Sequence, residues 1–143
     1  MEVREFHPYD LPALNLQFMQ AAFTESMTVE HGMALKQGGE SFTAEVNGTP
    51  IACIGLVEHW PKRRYVWAYI AENVSLRDMA RLRSRIRQWL RYHGEGRIET
   101  AIDPNFPKSI DWAESLGFEC EGVMRHWTPD GSDWLGYARI QRG

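Results

Sequence analysis

The sequence has little cysteine and no long apolar run. Its two cysteines, Cys53 and Cys120, lie in apolar, strand-like surroundings, and neither belongs to a CxxC or Cys/His cluster with metal-ligand spacing. We therefore expect reduced, buried thiols and no metal site. No apolar run reaches membrane-spanning length, and the first residues are acidic where a secretory signal would be basic. These absences predict a cytoplasmic protein with no membrane partner.

Repeats and low-complexity stretches are also missing, which disfavours fibrous and disordered classes. With 43% hydrophobic and 24% charged residues, the composition is typical of a folded globular protein. The 143 residues suffice for one hydrophobic core and are too few for two large ones. We therefore interpret residues 1–143 as a single domain.

The net charge of −3 hides an uneven distribution along the chain. Residues 1–60 contain 2 basic and 8 acidic side chains, residues 61–97 contain 10 and 3, and residues 98–143 contain 4 and 8. A basic middle segment attracts a phosphate-bearing ligand, a nucleic acid or the chain's own acidic flanks. Nucleic-acid binding is the least favoured of these, because both flanks and the whole chain are acidic.

Local patterns predict strands and helices in alternation. Strands are indicated at residues 3–7, 41–46, 50–57, 65–72, 97–102, 118–127 and 134–140. Helices are indicated at residues 11–27, 28–39, 76–93 and 106–116. Asn47-Gly48 predicts a tight hairpin turn, since both turn positions need a positive φ. The helix at 76–93 combines an apolar stripe with a face rich in arginine.

Strand 65–72, helix 76–93 and strand 97–102 form a βαβ crossover, which requires two parallel strands. The hairpins on either side make the sheet mixed. The predicted class is therefore α+β, a mixed twisted sheet of six or seven strands flanked by helices, with the crossover at its centre.

Residues 109–122, SIDWAESLGFECEG, resemble the Gcn5-related N-acetyltransferase (GNAT) superfamily. The step Leu116-Gly117-Phe118 followed by Glu121-Gly122 is similar to that family's LGF-x-x-EG ending of the penultimate helix. With Asp130-Gly131 in the last hairpin, the resemblance covers residues 42–140. It implies a GNAT-like fold and an acetyl-CoA-dependent N-acyltransferase that acetylates an amine substrate.

The resemblance also implies where the cofactor binds. In the family the strands on either side of the basic helix splay apart, coenzyme A enters the gap, and its pyrophosphate meets backbone amides at the helix N-terminus. Carried over to this chain, the cofactor contacts are Val74, Ser75, Leu76, Arg77, Arg81 and Asn105.

The phosphate loop departs from the family pattern, which has the form Q/R-x-x-G-x-G/A. This loop has no glycine, and Ser75 and Asp78 have the spacing of a capping box, which satisfies helix amides internally. Arg77 and Arg81 offer electrostatic compensation toward a phosphate. The sequence therefore predicts an acetyl-CoA site that is weak or vestigial.

The sequence also leaves several candidates for the catalytic acid and base. The tyrosine that many family members use as an acid falls at Ala113, so Tyr137, Tyr69 or Tyr92 would have to replace it. For a general base, Glu72 at a strand end is the first candidate, followed by Glu58 and His59. The competing interpretation of each carboxylate is a solvated strand end or an ion-pair partner.

A narrower resemblance favours an alternative function. The segment 48–55, the glycine-free basic helix and Thr128-Pro129-Asp130-Gly131 look like acetyltransferase-like proteins encoded by phages and prophages, and more distantly like phage internal virion protein A. This resemblance implies a catalytically degenerate virion or assembly component, with phage structural proteins as partners. A homodimer formed through the last strands, near Trp127 or Trp134, is a further arrangement that the sequence leaves open.

Overall fold

The fold was analysed in a computed structural model, which describes residues 1–14, 23, 25–93 and 95–142. Its strands are β1 (Glu2–Glu5), β2 (Ser41–Val46), β3 (Thr49–Trp60), β4 (Arg63–Ile70), β5 (Gly96–Ile102), β6 (Glu119–Met124) and β7 (Trp134–Gln141). Its helices are α1 (Asp10–Ala13), α2 (Val29–Gly38), α3 (Leu76–Tyr92) and α4 (Pro107–Ser115).

The seven strands form one open mixed sheet in the order β1-β2-β3-β4-β5-β7-β6. All neighbouring pairs are antiparallel except β4 and β5, which are parallel and joined through α3. The predicted α+β class and its central βαβ crossover are confirmed.

Side-chain alternation along the central strands gives the sheet two apolar faces. On one face Val66 and Ile70 of β4 pack against Leu82, Ile86 and Leu90 of α3, and α4 covers the same face. The stripe predicted for the basic helix therefore lies in the core, and its arginines face outward.

The opposite face is covered by the first two helices. Trp67 of β4 and Cys53 of β3 are buried there with Phe6, Leu11 and Met27. Gly55 makes room for this packing, because a Cβ built on it would lie 2.5 Å from the Trp67 ring. The sheet is thus the middle layer between α1–α2 and α3–α4.

The predicted hairpin at Asn47-Gly48 is confirmed, with φ values of 51° and 78° at its two residues. The boundaries of two other elements were wrong. The strand predicted at 118–127 ends at Met124, and the residues up to Trp127 form a turn. The helix predicted at 11–27 ends at Ala13, because Leu14 turns to an extended backbone with ψ 138° and buries its side chain. The rest of that prediction falls mostly outside the described residues.

The two cysteines differ in environment. Cys53 is buried as predicted, whereas Cys120 is exposed, which corrects the expectation of two buried thiols. Cys120 lies on β6, the last strand in the sheet order, and nearly all residues of this strand are exposed. None of the described helices is long and apolar enough to cross a membrane.

Candidate active site

The central feature of the sheet is a fork between its two parallel strands. β4 and β5 pair only at Arg63 with Arg97, Arg64 with Ile98 and Tyr65 with Glu99. Beyond this point β4 continues to Ile70 and β5 to Ile102, but their paired register has ended. The two strands therefore diverge toward their carboxyl ends and leave an opening in the middle of the sheet.

Side chains hold the fork at the point where the ladder stops. The Thr100 hydroxyl donates a 3.0 Å hydrogen bond to the Val66 carbonyl, where a strand amide would otherwise bind. Glu99 accepts hydrogen bonds from Arg63 Nε at 2.6 Å and from Arg97 Nε at 2.7 Å. These bonds lower the pKa of the Glu99 carboxyl, the Arg63 bond most of all, against the opposing effect of burial. Ion pairing thus fixes the closed end of the fork.

A cleft of about 890 Å³ occupies the opening. Its lining includes His31 and Leu35 from α2 and Ile86 and Leu90 from α3. Because these helices cover opposite faces, the cleft runs between the strands and is reached by both helical layers. Two reactants can therefore enter the cleft from opposite faces of the sheet and meet between the strands.

The wall on the α2 side is aromatic. Phe23 contacts Trp134 edge-on, with ring centroids 5.3 Å apart, and Tyr69 at 6.1 Å. Tyr65 lies 6.3 Å from Trp127 on the same side. All five rings line the cleft. Such a wall favours apolar groups and, through the ring faces, organic cations.

His31 and Tyr69 bring titratable groups to this wall. Tyr69 Oη and His31 Nε2 are 3.5 Å apart. Burial lowers the pKa of His31 and raises that of Tyr69 to about 12. At neutral pH the imidazole is therefore neutral and able to accept a proton, while the phenol retains its own.

Tyr137 lies on the other side of the cleft. It belongs to β7, is 5% exposed, and packs in the core that faces α3 and α4. Burial raises the pKa of its hydroxyl, so the group stays protonated at neutral pH. Among the predicted acids, Tyr69 and Tyr137 line the cleft, whereas Tyr92 is 82% exposed at the end of α3 and does not.

The N-terminus of α3 lies at the open end of the fork, since β4 leads into it through residues 71–75. The Ser75 hydroxyl accepts a 3.1 Å hydrogen bond from the Asp78 amide, the N-cap bond that the spacing predicted, and donates to the Asp78 carboxylate at 3.0 Å in place of the backbone bond of a full capping box. The amides of Leu76 and Arg77 have no partner among the described residues. Arg81 lies 3.8 Å from Asp78.

The predicted site residues are thus only partly brought together. Val74, Ser75, Leu76, Arg77 and Arg81 lie on one terminus, and Asn105 is exposed in the loop after β5.

Of the three predicted bases, the two carboxylates lie away from the cleft lining. Glu72 is exposed beyond the end of β4, and Glu58 is exposed on β3, in register with Arg64. His59 does reach the lining. The catalytic roles of Glu72, Glu58 and Tyr137 stay predictions.

Sequence reasoning missed His31, Thr100 and Glu99. His31 lies on a short helix with no motif around it, and only the packing of α2 brings it to β4. The one signal for Glu99 was its position in a strand next to a basic segment. No cluster of three or more metal-ligating side chains occurs within the described ranges.

Comparison with known proteins places the fold. No family model and no curated protein sequence matches the chain. Among solved structures, Ard1 from Thermoplasma volcanium has a TM-score of 0.80 at 16% identity, covering 99% of this chain and 98% of that one. The ribosomal-protein-S18-alanine N-acetyltransferase of Escherichia coli has a TM-score of 0.73 at 17% identity, covering 99% and 95%.

A third structure was solved with a cofactor. The Salmonella typhimurium protein yncA, with its cofactor acetyl-CoA, has a TM-score of 0.71 at 15% identity and covers 100% of this chain and 95% of that one. At these identities the likeness shows the fold alone. The chain has the GNAT-like α+β fold that the motif predicted.

Proposed function

We propose that this chain is an N-acetyltransferase that transfers the acetyl group of acetyl-CoA to a primary amine. The observation that carries the proposal is the fork, where a cleft opens between two parallel strands and is lined from both faces of the sheet. The ribosomal-protein-S18-alanine N-acetyltransferase of Escherichia coli, which has the same fold, and yncA, which was solved with acetyl-CoA, support it. Fold likeness alone would leave the reaction open.

The α3 terminus fits an anionic cofactor. Two backbone amides, those of Leu76 and Arg77, are available there, and unpaired amides at a helix start favour a diphosphate. Arg77 has no carboxylate within ion-pair distance in the described chain, so its guanidinium can pair with phosphate. Acetyl-CoA would supply an activated thioester carbonyl, with Val74, Ser75, Leu76, Arg77 and Arg81 as its predicted contacts and Asn105 nearby.

The chain's own residues provide for proton movement. An amine attacks a carbonyl only in its neutral form, so a group must accept a proton from the ammonium. His31 lines the cleft and has a lowered pKa, which makes it the first candidate that the geometry offers. Tyr137 and Tyr69 keep their protons at neutral pH, so either can protonate the departing thiolate.

Calorimetric titration of acetyl-CoA at low salt tests cofactor binding. We expect micromolar binding, weakened about tenfold in Arg77→Ala and Arg81→Ala because each guanidinium–phosphate contact is worth about 1–3 kcal/mol. Arg85→Ala, which removes an exposed arginine farther along the same helix, is the matched control. Absence of heat at millimolar acetyl-CoA, or equal weakening in the control, contradicts the proposed site.

A second experiment assigns the base. The variants His31→Gln, Glu72→Gln and Glu58→Gln are compared by the pH dependence of kcat/KM for an amine acceptor. We expect His31→Gln alone to lower the rate and remove the acidic limb of the profile. Loss confined to the Glu72 or Glu58 variant would assign the role to that carboxylate instead.

The alternative of a catalytically degenerate phage component comes from the glycine-free phosphate loop and from Ala113 in place of the acid tyrosine, and one feature of the site agrees with a degenerate cofactor site. The Asp78 carboxylate is held at the α3 terminus, where it repels a diphosphate. The compared structures give no support to a phage origin or to likeness with an internal virion protein. The same titration bears on this alternative, since absence of heat at millimolar acetyl-CoA favours a vestigial site and micromolar binding counts against one.

A further inference from the structure

Among the described residues, the cleft wall carries three carboxylates, and two of them are already ion-paired. Glu99 binds Arg63 and Arg97, and Glu121 accepts two bonds from Arg97. The third, Asp103, accepts the backbone amide of Asn105 at 2.9 Å. A ligand with several ammonium groups could pair one of them with Asp103 but would have to bury the others without a free carboxylate, which is costly.

The cleft wall on the α2 side is lined mainly by aromatic side chains. Trp127 is 42% exposed at the rim of the cleft, next to Tyr65, while Phe23, Tyr69 and Trp134 continue the aromatic surface beside His31. Rings bury apolar groups by area, and their faces attract a single organic cation. A single ammonium beside His31 also has a proton acceptor at hand.

Resting on the proposed function, we infer that the acceptor is a monoamine carried on an uncharged aromatic body, and that polyamines and aminoglycosides are rejected. The ring of the acceptor packs against Trp127 and Tyr65, and its amine faces the His31 side of the opening. Selectivity then has two sources. The ring contact favours the aromatic amine, and the burial of unpaired ammonium groups disfavours the polycation.

The test compares 2-phenylethylamine with spermidine as acetyl acceptors, with the acetylated amine measured by mass spectrometry. A thiol reagent is avoided because Cys120 is exposed and would react. We expect kcat/KM for 2-phenylethylamine to exceed that for spermidine at least about tenfold, and Trp127→Ala to reduce this ratio about tenfold. Trp127→Phe should restore most of it by replacing the ring.

The control is Tyr9→Ala, which removes a 65% exposed ring outside the cleft lining and should leave the ratio unchanged. Preference for spermidine, or a ratio unaffected by Trp127→Ala, overturns the inference while leaving acetyl transfer intact. If no amine is acetylated, saturation-transfer NMR with 2-phenylethylamine decides separately: binding that Trp127→Ala weakens supports the pocket, and no binding overturns it.

Discussion

Replacing Glu99 by glutamine should loosen the fork that separates β4 from β5. The carboxylate is 18% exposed and accepts hydrogen bonds from Arg63 at 2.6 Å and Arg97 at 2.7 Å. Glutamine keeps the shape but removes the charge, and its amide group adds donors that face two guanidinium donors. The variant therefore leaves two arginines without their shared anion.

The expected loss follows from these two bonds. A hydrogen bond to a charged group contributes about 1.5–3 kcal/mol when it is shielded from solvent. Both arginine side chains are 35% exposed, so solvent screening reduces that figure. We expect the free energy of unfolding to fall by about 2 kcal/mol, and Tm by about 6–10 °C for a chain of this size.

The pH dependence has a defined sign. The pKa of Glu99 is lowered below its ordinary value of 4.5 in the folded protein. Its contribution is therefore fully present above about pH 4.5 and is lost as pH falls through the folded-state pKa. The difference in Tm between the wild type and Glu99→Gln should be constant from pH 6 to 8 and shrink below about pH 4.5.

Thermal and urea unfolding followed by circular dichroism provide the measurement. Glu119→Gln, the same charge change at an exposed site on β6 with no ion pair among the described residues, is the control. Equal stability of the two variants at pH 7 would refute the conclusion that the Glu99 ion pairs stabilise the paired end of β4 and β5. A difference that persists unchanged at pH 3 would refute its ionic origin.

Three further outcomes are expected from other positions. Gly55→Ala should cost about 1–3 kcal/mol and alter the near-ultraviolet dichroism of Trp67, since the added Cβ would lie 2.5 Å from that ring. Asp10→Ala should cost about 3–5 kcal/mol in urea unfolding, because this buried carboxylate accepts two bonds from its arginine partner on β1 and one from a buried threonine. A thiol reagent should label Cys120 rapidly and Cys53 only on unfolding, because Cys53 is buried and its pKa is raised to about 12.

Much of the fold could be predicted because its signals are local. Asn47-Gly48 fixes a hairpin by backbone conformation, and the alternation of residues in β4 assigns its side chains to the two faces. The prediction of an unbroken helix from residue 11 was wrong at Leu14, because an apolar spacing does not reveal that this residue turns extended to fill the core. A tertiary contact there outweighs a local pattern.

The cleft was harder to predict because its walls come from distant parts of the chain. His31 and Tyr69 are 38 residues apart and meet only through the packing of α2 on the sheet. The α3 terminus, in contrast, could be located from the sequence, since Ser75 and Asp78 form a local motif. The spacing of Ser75 and Asp78 can be recognised in the sequence, whereas the fork is seen only in the structure, where the pairing of β4 with β5 ends.

The structure shows which cations of the basic segment 61–97 have carboxylate partners. Arg63 and Arg97 are committed to the fork, and Lys62 pairs with Glu95 at 2.8 Å, so these charges hold strands and loops together. These three cations are therefore committed within the protein, whereas several arginines of α3 remain exposed. The cations that remain beside two available amides are those at the start of α3. Under the proposed function, the arginines at the start of α3 would contribute to a diphosphate site at the open end of the fork.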